Sequence, residues 1–316
     1  MIDYSSEFEL LANAYQASGG NPDNLRNNQY GLMLVSGNQI LGKNEILGLR
    51  IECKSLQNGV QAKIIVEKNT TIANPVHLCF GIIPSEGEQH IIADFIIENN
   101  ASATFLAHCS FPNAIKVKHN MEGTVKIGKN SVMEYSETHY HGSQGGVQVM
   151  SKMEIDVDSG GRYKSTFHLI KGVAGQTNLN YKAYLNKNAI AEMYTRIYGK
   201  RQDDIKVKES IYLNGSESKG LAKSRIVLTD KARAEVLGEI IGKGAYSRGH
   251  IDCMEIVQGK KAIASAVPKL KVVNETAKLT HEAAIGSVDK RQVETLMARG
   301  LTEQEAIDVI VTGLLR

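Results

Sequence analysis

The densest group of side chains able to do chemistry lies in the last third of the chain. It reads Gly249-His250-Ile251-Asp252-Cys253, then Pro268, then Thr280-His281-Glu282-Ala283. Cys253 and Glu282 are 29 residues apart. If the chain repeats at that period as stacked strands, residues one coil apart meet at about 5 Å. A thiolate and a carboxylate would then share one face and one metal. By the same parity His281 stacks on Asp252 and points the other way, unless a bend or helix start near 281 brings His281 and Glu282 to the surface together. Thiolate suits iron–sulfur and zinc chemistry, with imidazole and carboxylate as further ligands. One cysteine with mixed nitrogen and oxygen donors holds a cluster weakly, which a transient carrier needs and a permanent electron carrier does not. The plainer alternative makes Cys253 a small buried hydrophobe and Glu282 a solvated carboxylate.

A second candidate is His139-Tyr140-His141. Residues i and i+2 of a strand face one side, so His139 and His141 can hold a metal in a cupin-like site. Such a site also wants a carboxylate a few residues on. Gly142-Ser143-Gln144-Gly145-Gly146 supplies none, so solvated histidines at a corner are expected. Cys53, Cys79 and Cys109 sit in apolar surroundings and are assigned to core packing, and His77, His108 and His119 show no ligand spacing. The phosphate-binding loop G-x-x-x-x-G-K-[ST], the dinucleotide fingerprint, H-E-x-x-H and G-x-S-x-G are all absent. The chain is therefore expected to bind no nucleotide itself and not to be a self-sufficient enzyme.

These residues must be positioned by a repeating fold. An apolar strand end, a turn rich in Asn, Gly or Lys, a small residue and another alternating strand recur in VKIGKNSVMEY (125–135), AYLNKNAIAEMYT (183–195) and EIVQGKKAIASAV (255–267). Weaker copies are scattered from 64 to 221. The last apolar residues before successive turns are Val66, Ile97, Ile127, Val157, Leu185 and Leu213, then Leu228 and Val257. Their spacing stays near 30, with one half-period step at Leu213–Leu228. The fold predicted is mostly β: a right-handed parallel β-helix of single stacked coils, in which each coil buries its apolar face on its neighbours. An antiparallel sandwich of short strands is the alternative that spacing alone leaves open.

The ends differ from the middle. Residues 5–17 place Phe8, Leu11 and Tyr15 on one helical face, and SGGNPDN (18–24) stops that helix. Asp289 with Gln292, and Thr302 with Glu305, read as capping boxes. Gly300 and Gly313 stand where C-terminal glycines belong. A helical hairpin over 289–299 and 302–312 follows, with Val293, Leu296, Met297, Ile307 and Ile310 available for packing. The division expected is a helical segment 1–30, a β-helix core 31–285 and a helical segment 286–316. The second hairpin helix is acidic and apolar where a DNA-reading helix would be basic or amidic. A net charge of +3 likewise gives no case for nucleic acid. Neither a signal peptide nor a membrane span is visible. Four scattered cysteines without a C-x-x-C pair argue against a disulfide framework. A cytoplasmic protein is the expectation.

The same residues carry a family resemblance. Gly249-His250-Ile251-Asp252-Cys253, His281-Glu282-Ala283-Ala284-Ile285-Gly286, and Leu296-Met297-Ala298-Arg299-Gly300-Leu301 with Glu305-Ala306 and Gly313-Leu314 resemble the SufB/SufD family of iron–sulfur cluster assembly proteins. The match is strong over 250–314, and agreement before that is in character. The resemblance implies a β-helix flanked by helices and pairing through its C-terminal end. It also implies docking of a SufC-type ABC ATPase on the terminal helices, at Leu296, Met297, Arg299, Gly300, Leu301, Ile307 and Ile310. Cys253 and Glu282 match SufB residues tied to cluster assembly, and His281 matches a histidine of both branches. A homodimer would then bring two copies of Cys253, Glu282 and His281 to a twofold axis, where an iron–sulfur cluster is held transiently; a paralogous partner is the other option. Lys260, Lys261 and Lys269 are expected to lower the Cys253 pKa. ATP binding by the partner would move 289–312 and open the interface. The chain is shorter than SufB and lacks the N-terminal cysteine cluster of many SufB proteins. A SufD-like structural subunit that binds the ATPase but no cluster is the competing reading. A carbohydrate-cleaving β-helix enzyme would want a secretion signal and an acidic cluster, and neither is seen.

Overall fold

The computed structural model describes residues 6–315, so the first residue of the helix expected at 5–17 lies outside the described part. The chain winds into a β-solenoid of about eight turns. Each turn lays one strand on a ten-stranded sheet and one on a nine-stranded sheet facing it. Stacked strands pair in parallel register over nearly their full length. Val66 lies on Ile97, Ile97 on Ile127, Ile127 on Val157, Val157 on Leu185 and Leu185 on Leu213. All six are buried, so the apolar markers in the sequence form one column of the lumen. Leu228 and Val257 pair in the other sheet, which explains the half-period step. Strand parity sends every second side chain inward, and one continuous core fills the solenoid from Met33 to Cys253.

The Asn-rich turns are corners. Asn69, Asn100, Asn130 and Asn188 take φ between 54° and 58°, a left-handed conformation that Asn tolerates better than most residues. The corners also stack: the Asn100 side-chain amide donates to the Asn69 side-chain oxygen at 3.1 Å.

The two ends of the solenoid are treated differently. At the N-terminal end the strands Gln39–Asn44 and Leu49–Leu56 add antiparallel to the two sheets. Helix α1 (Ser6–Ser18) covers the outer face of the ten-stranded sheet near this end, with Phe8, Leu11 and Tyr15 packed on Leu32, Leu34, Leu41 and Cys79. Its polar anchors are Tyr15 to His77 Nδ1 at 3.0 Å and Ser18 to His108 Nδ1 at 2.8 Å. At the C-terminal end Ile263–Val272 and Lys278–Gly286 are the last strands of their sheets; the inward row of the first is half-buried and its outer row exposed, and the second is largely exposed on both faces.

The helical hairpin leaves that end uncovered. Helices α2 (Lys290–Met297) and α3 (Glu303–Leu314) fold back along the side of the solenoid. Val293, Ala306, Ile307 and Val311 pack there with Val227, against Ile170, Tyr198 and Ile256. The Thr302–Glu305 capping box forms in full. Asp289 caps alone, accepting from the Arg291 amide. Gly300 ends its segment at φ 99°, whereas Gly313, expected as a stop, lies inside the last turn of α3.

Candidate functional site

The C-terminal cluster is built on the last two strands of the ten-stranded sheet, and its register differs from the one expected. Cys253 pairs with Ala283, Asp252 with Glu282 and Ile251 with His281. The final coil is one residue longer than the 29-residue spacing assumed, so every assignment moves by one and changes face. Cys253 and His281 therefore share the inward side as diagonal neighbours, at roughly 8 Å between Cα atoms on ordinary strand spacings. Glu282 stands on the outer side over Asp252. Both His281 and Glu282 are exposed, because no coil follows.

Cys253 lies one layer below the open end and is 2% exposed. Burial pushes its thiol up to about 11; Ser224 offsets this through a hydrogen bond, and the nearby Glu255 adds to it. Lys260, Lys261 and Lys269 do not act on it, contrary to expectation. Lys269 instead pairs with Glu239 at 2.6 Å on the other sheet. At neutral pH the thiol therefore rests protonated rather than as a free thiolate. Below it, Ser224 donates to Glu255 at 3.0 Å. On the outer face Asp252 takes both arms of Arg225, at 2.8 and 2.7 Å, and Lys223 at 3.0 Å. Around the open end Ile263, Val267, Val272, Val273 and Ile285 are 45–58% exposed.

Of the hairpin residues, Met297, Arg299 and Gly300 are exposed, and Leu296, Leu301 and Ile310 are half-buried. Ile307 is buried against the solenoid and is unavailable to a partner in this arrangement.

His139 and His141 are not solvated at a corner. Both point into the lumen, 1% and 0% exposed. The carboxylate sought after them lies before them instead: Glu137 Oε1 is 2.7 Å from His139 Nε2. Register adds a thiol, since His139 stacks on Cys109. The facing sheet adds His119. The ligand atoms of Cys109, His119 and His139 lie within 4.8 Å of one another. Spacing held the signal for half of this group, because Cys109 and His139 are one 30-residue period apart. His119 comes from the opposite sheet, where no spacing rule reaches it.

Hydrogen bonds fix the protons of this group. The Gln89 amide nitrogen donates to the Gly37 and Gly81 carbonyls, so its oxygen faces His119 Nδ1 at 3.0 Å and must accept. His119 therefore carries its proton on Nδ1 and leaves Nε2 bare, and that atom is buried without a hydrogen-bond partner. The Val173 carbonyl likewise obliges His141 Nδ1 to donate, at 3.1 Å. His141 Nε2 then accepts from His139 Nδ1 at 3.2 Å. That leaves His139 Nε2 bare, facing a Glu137 that must be the donor. Burial agrees, lifting Glu137 to about 7 and lowering His139 to about 3.

Residues 86–314 match the SufBD core domain of the SUF system for FeS cluster assembly. An iron–sulfur cluster assembly SufBD family protein of Methanocaldococcus jannaschii is 38% identical over 314 residues, covering 99% of both chains. One of Pyrococcus horikoshii is 37% identical over 314 residues, covering 99% of this chain and 95% of its own. The cluster assembly protein SufB of Bacillus subtilis is 22% identical over 258 residues, 80% of this chain and 54% of its own. A solenoid with an open end over a buried cysteine and with this sequence kinship belongs to the SufBD family of iron–sulfur cluster assembly proteins.

Proposed function

We propose that this protein is the scaffold on which an iron–sulfur cluster is assembled and briefly held, between two chains joined end to end at the open C-terminal coil. It works with a SufC-type ABC ATPase and carries out no self-contained catalysis. The observation that carries the reading is the unfinished end. Two strands with unpaired backbone edges and exposed apolar side chains call for a partner, and Cys253 lies directly beneath them. Pairing with a second copy extends both sheets and buries Ile263, Val267, Val272 and Ile285. The partner chain is a second copy in the simplest case, or a paralogue presenting the same end.

Within that interface Cys253 and His281, on the inward side of both chains, supply sulfur and nitrogen ligands. Glu282, on the outer edge, adds a carboxylate when the end strand shifts. One thiolate per chain with mixed donors is a weak site, which suits a cluster meant to leave. The exposed Met297, Arg299 and Gly300, flanked by Leu296, Leu301 and Ile310, offer the ATPase a handle. Ile307 and Val293 fix that handle to the sheet that carries Cys253, so displacement of the hairpin bears on the open end. Four cysteines without disulfides suit a reducing compartment such as the cytoplasm. No helix among the described residues is long and apolar enough to cross a membrane.

The test is anaerobic reconstitution with iron and sulfide, wild type beside Cys253→Ala, read by visible absorbance and by iron and sulfide content. The expected result is a cluster in the wild type and its loss in the variant, with folding retained. A wild type that takes up no cluster, alone or with its ATPase, would leave the structural-subunit reading in its place.

A further inference from the structure

We propose that the Cys109, His119, His139 and Glu137 group in the lumen is a binding site for one divalent transition-metal ion, separate from the cluster site at Cys253. In the sheet that carries Cys253, His139 and Glu137 lie four strands away and Cys109 five, about 19–24 Å at ordinary strand spacing.

Two independent observations point to a ligand. One is convergence: a thiol, two imidazoles and a carboxyl meet inside the lumen, packed by Phe111 and Phe167 against the histidine rings. The other is His119 Nε2. A bare nitrogen lone pair, 0% exposed and without a partner, costs free energy unless something accepts it. The orientation is enforced from behind, since Gln89 holds Nδ1 and two backbone carbonyls hold Gln89. His139 is held the same way through His141 and the Val173 carbonyl. Metal-bound histidines are commonly oriented by such outer hydrogen bonds.

The donor set selects the ion. Binding replaces the protons of Cys109 and Glu137, which leave as two H+. The resulting S−, carboxylate and 2+ ion sum to zero charge, which a low-dielectric lumen tolerates, whereas a mono- or trivalent ion would leave a buried net charge. One thiolate, two imidazoles and one carboxylate suit tetrahedral Zn2+, Fe2+ or Co2+, and disfavour Mg2+ and Ca2+. Bonds of about 2.0–2.3 Å draw such ligands to roughly 3.3–3.7 Å apart. The side chains must therefore close by about 1 Å from the 4.8 Å spread.

The experiment uses the Cys253→Ala chain, so that no cluster at the open end contributes, and no histidine tag. Cells are grown in cobalt-supplemented medium, so uptake does not depend on an access route in the folded protein. The purified protein is also incubated with Co2+ alone. Expected are about one Co2+ per chain by elemental analysis, a thiolate-to-cobalt band, and the intense visible bands of a tetrahedral ion. Adding Cys109→Ala, or separately His119→Gln, should remove the ion while circular dichroism still shows a folded solenoid. Two variants guard against one failing to fold. No cobalt by either route, or cobalt retained in both variants, overturns the site. Loss of cluster uptake at Cys253 would not, because that residue is already absent.

Discussion

Glu209→Gln should change how stability depends on pH. Glu209 faces the lumen at 3% exposure, and its one strong contact is Thr195, which donates to Oε1 at 2.7 Å. Burial raises its carboxyl from 4.5 to about 7, with the Thr195 bond only partly opposing. Tyr163, Tyr181 and Cys253 feel the same carboxylate, but burial lifts all three well above neutrality, so none titrates in the window. Below pH 4.5 both folded and unfolded chains hold the proton. Between 4.5 and about 7 the unfolded chain gives it up and the folded chain does not. Stability therefore falls as pH rises through that window and levels off above it, by on the order of 3 kcal/mol. For a chain of this length that is roughly 5 °C of thermal midpoint. The variant carries a neutral amide at every pH and loses this share of the slope. Thermal melts at intervals from about pH 4 to about pH 8 give the comparison, and the difference between wild type and variant cancels any pH-independent cost of the amide. Glu137 and Glu255 are shifted in the same sense, so the wild-type slope is a sum and should shrink, not vanish. Parallel pH profiles for the two proteins would refute the reasoning and mean that Glu209 is ionised in the folded chain.

Other outcomes follow from the same geometry. Ile285→Glu places a charge on the exposed inward row of the last strand and should shift a dimer to monomer by light scattering, with the circular dichroism of the folded solenoid retained; an unaltered dimer would move the interface elsewhere. Gly172→Ala should destabilise by about 3 kcal/mol or more, because φ is 88° and the added Cβ runs into the His141 carbonyl; a neutral melt would show that this corner relaxes freely. Arg225→Ala should cost stability at neutral pH. Arg225 holds the Asp252 carboxyl below its ordinary value, so the contribution is present above that value and lost as pH falls. The gap between wild type and variant should then close in acid, and a gap that widens there would reverse the assignment.

The period near 30 was legible because it is written in buried apolar columns. A parallel ladder forces Val66, Ile97, Ile127 and Val157 into one line, and any polar residue there would lose burial energy. The terminal helices were legible for a similar local reason, through Thr302–Glu305 and the Phe8, Leu11, Tyr15 face. What spacing does not record is which wall of the solenoid faces which. His119 meets Cys109 and His139 across the lumen, through no periodic relation. Glu137 precedes the histidines, and strand parity serves a carboxylate placed before them as well as one placed after. The hairpin's site on the side wall escaped for the same reason: Val227, Tyr198 and Ile256 form its seat only once three coils are stacked.

The misplacement of Glu282 has a narrower cause, and it bears on function. Coil length in this chain varies by a residue or two. Thr195 pairs with Ser224, and Ser224 with Cys253, both 29 residues on, whereas Cys253 pairs with Ala283, 30 residues on. The corner absorbs the extra residue, so the inward row continues unbroken while any count made along the sequence slips by one face. Here the slip decides which residues share the inward face with Cys253. With the register as it stands, Cys253 and His281 lie on the inward rows of the last two strands of their sheet, and Glu282 sits on the outer side over the Arg225–Asp252 pair. Cluster uptake should therefore fall sharply in His281→Ala and less in Glu282→Ala, measured as iron bound per chain under identical reconstitution. The reverse order would mean that the last strand shifts by one residue when two chains meet, which an edge strand held on one side only is free to do.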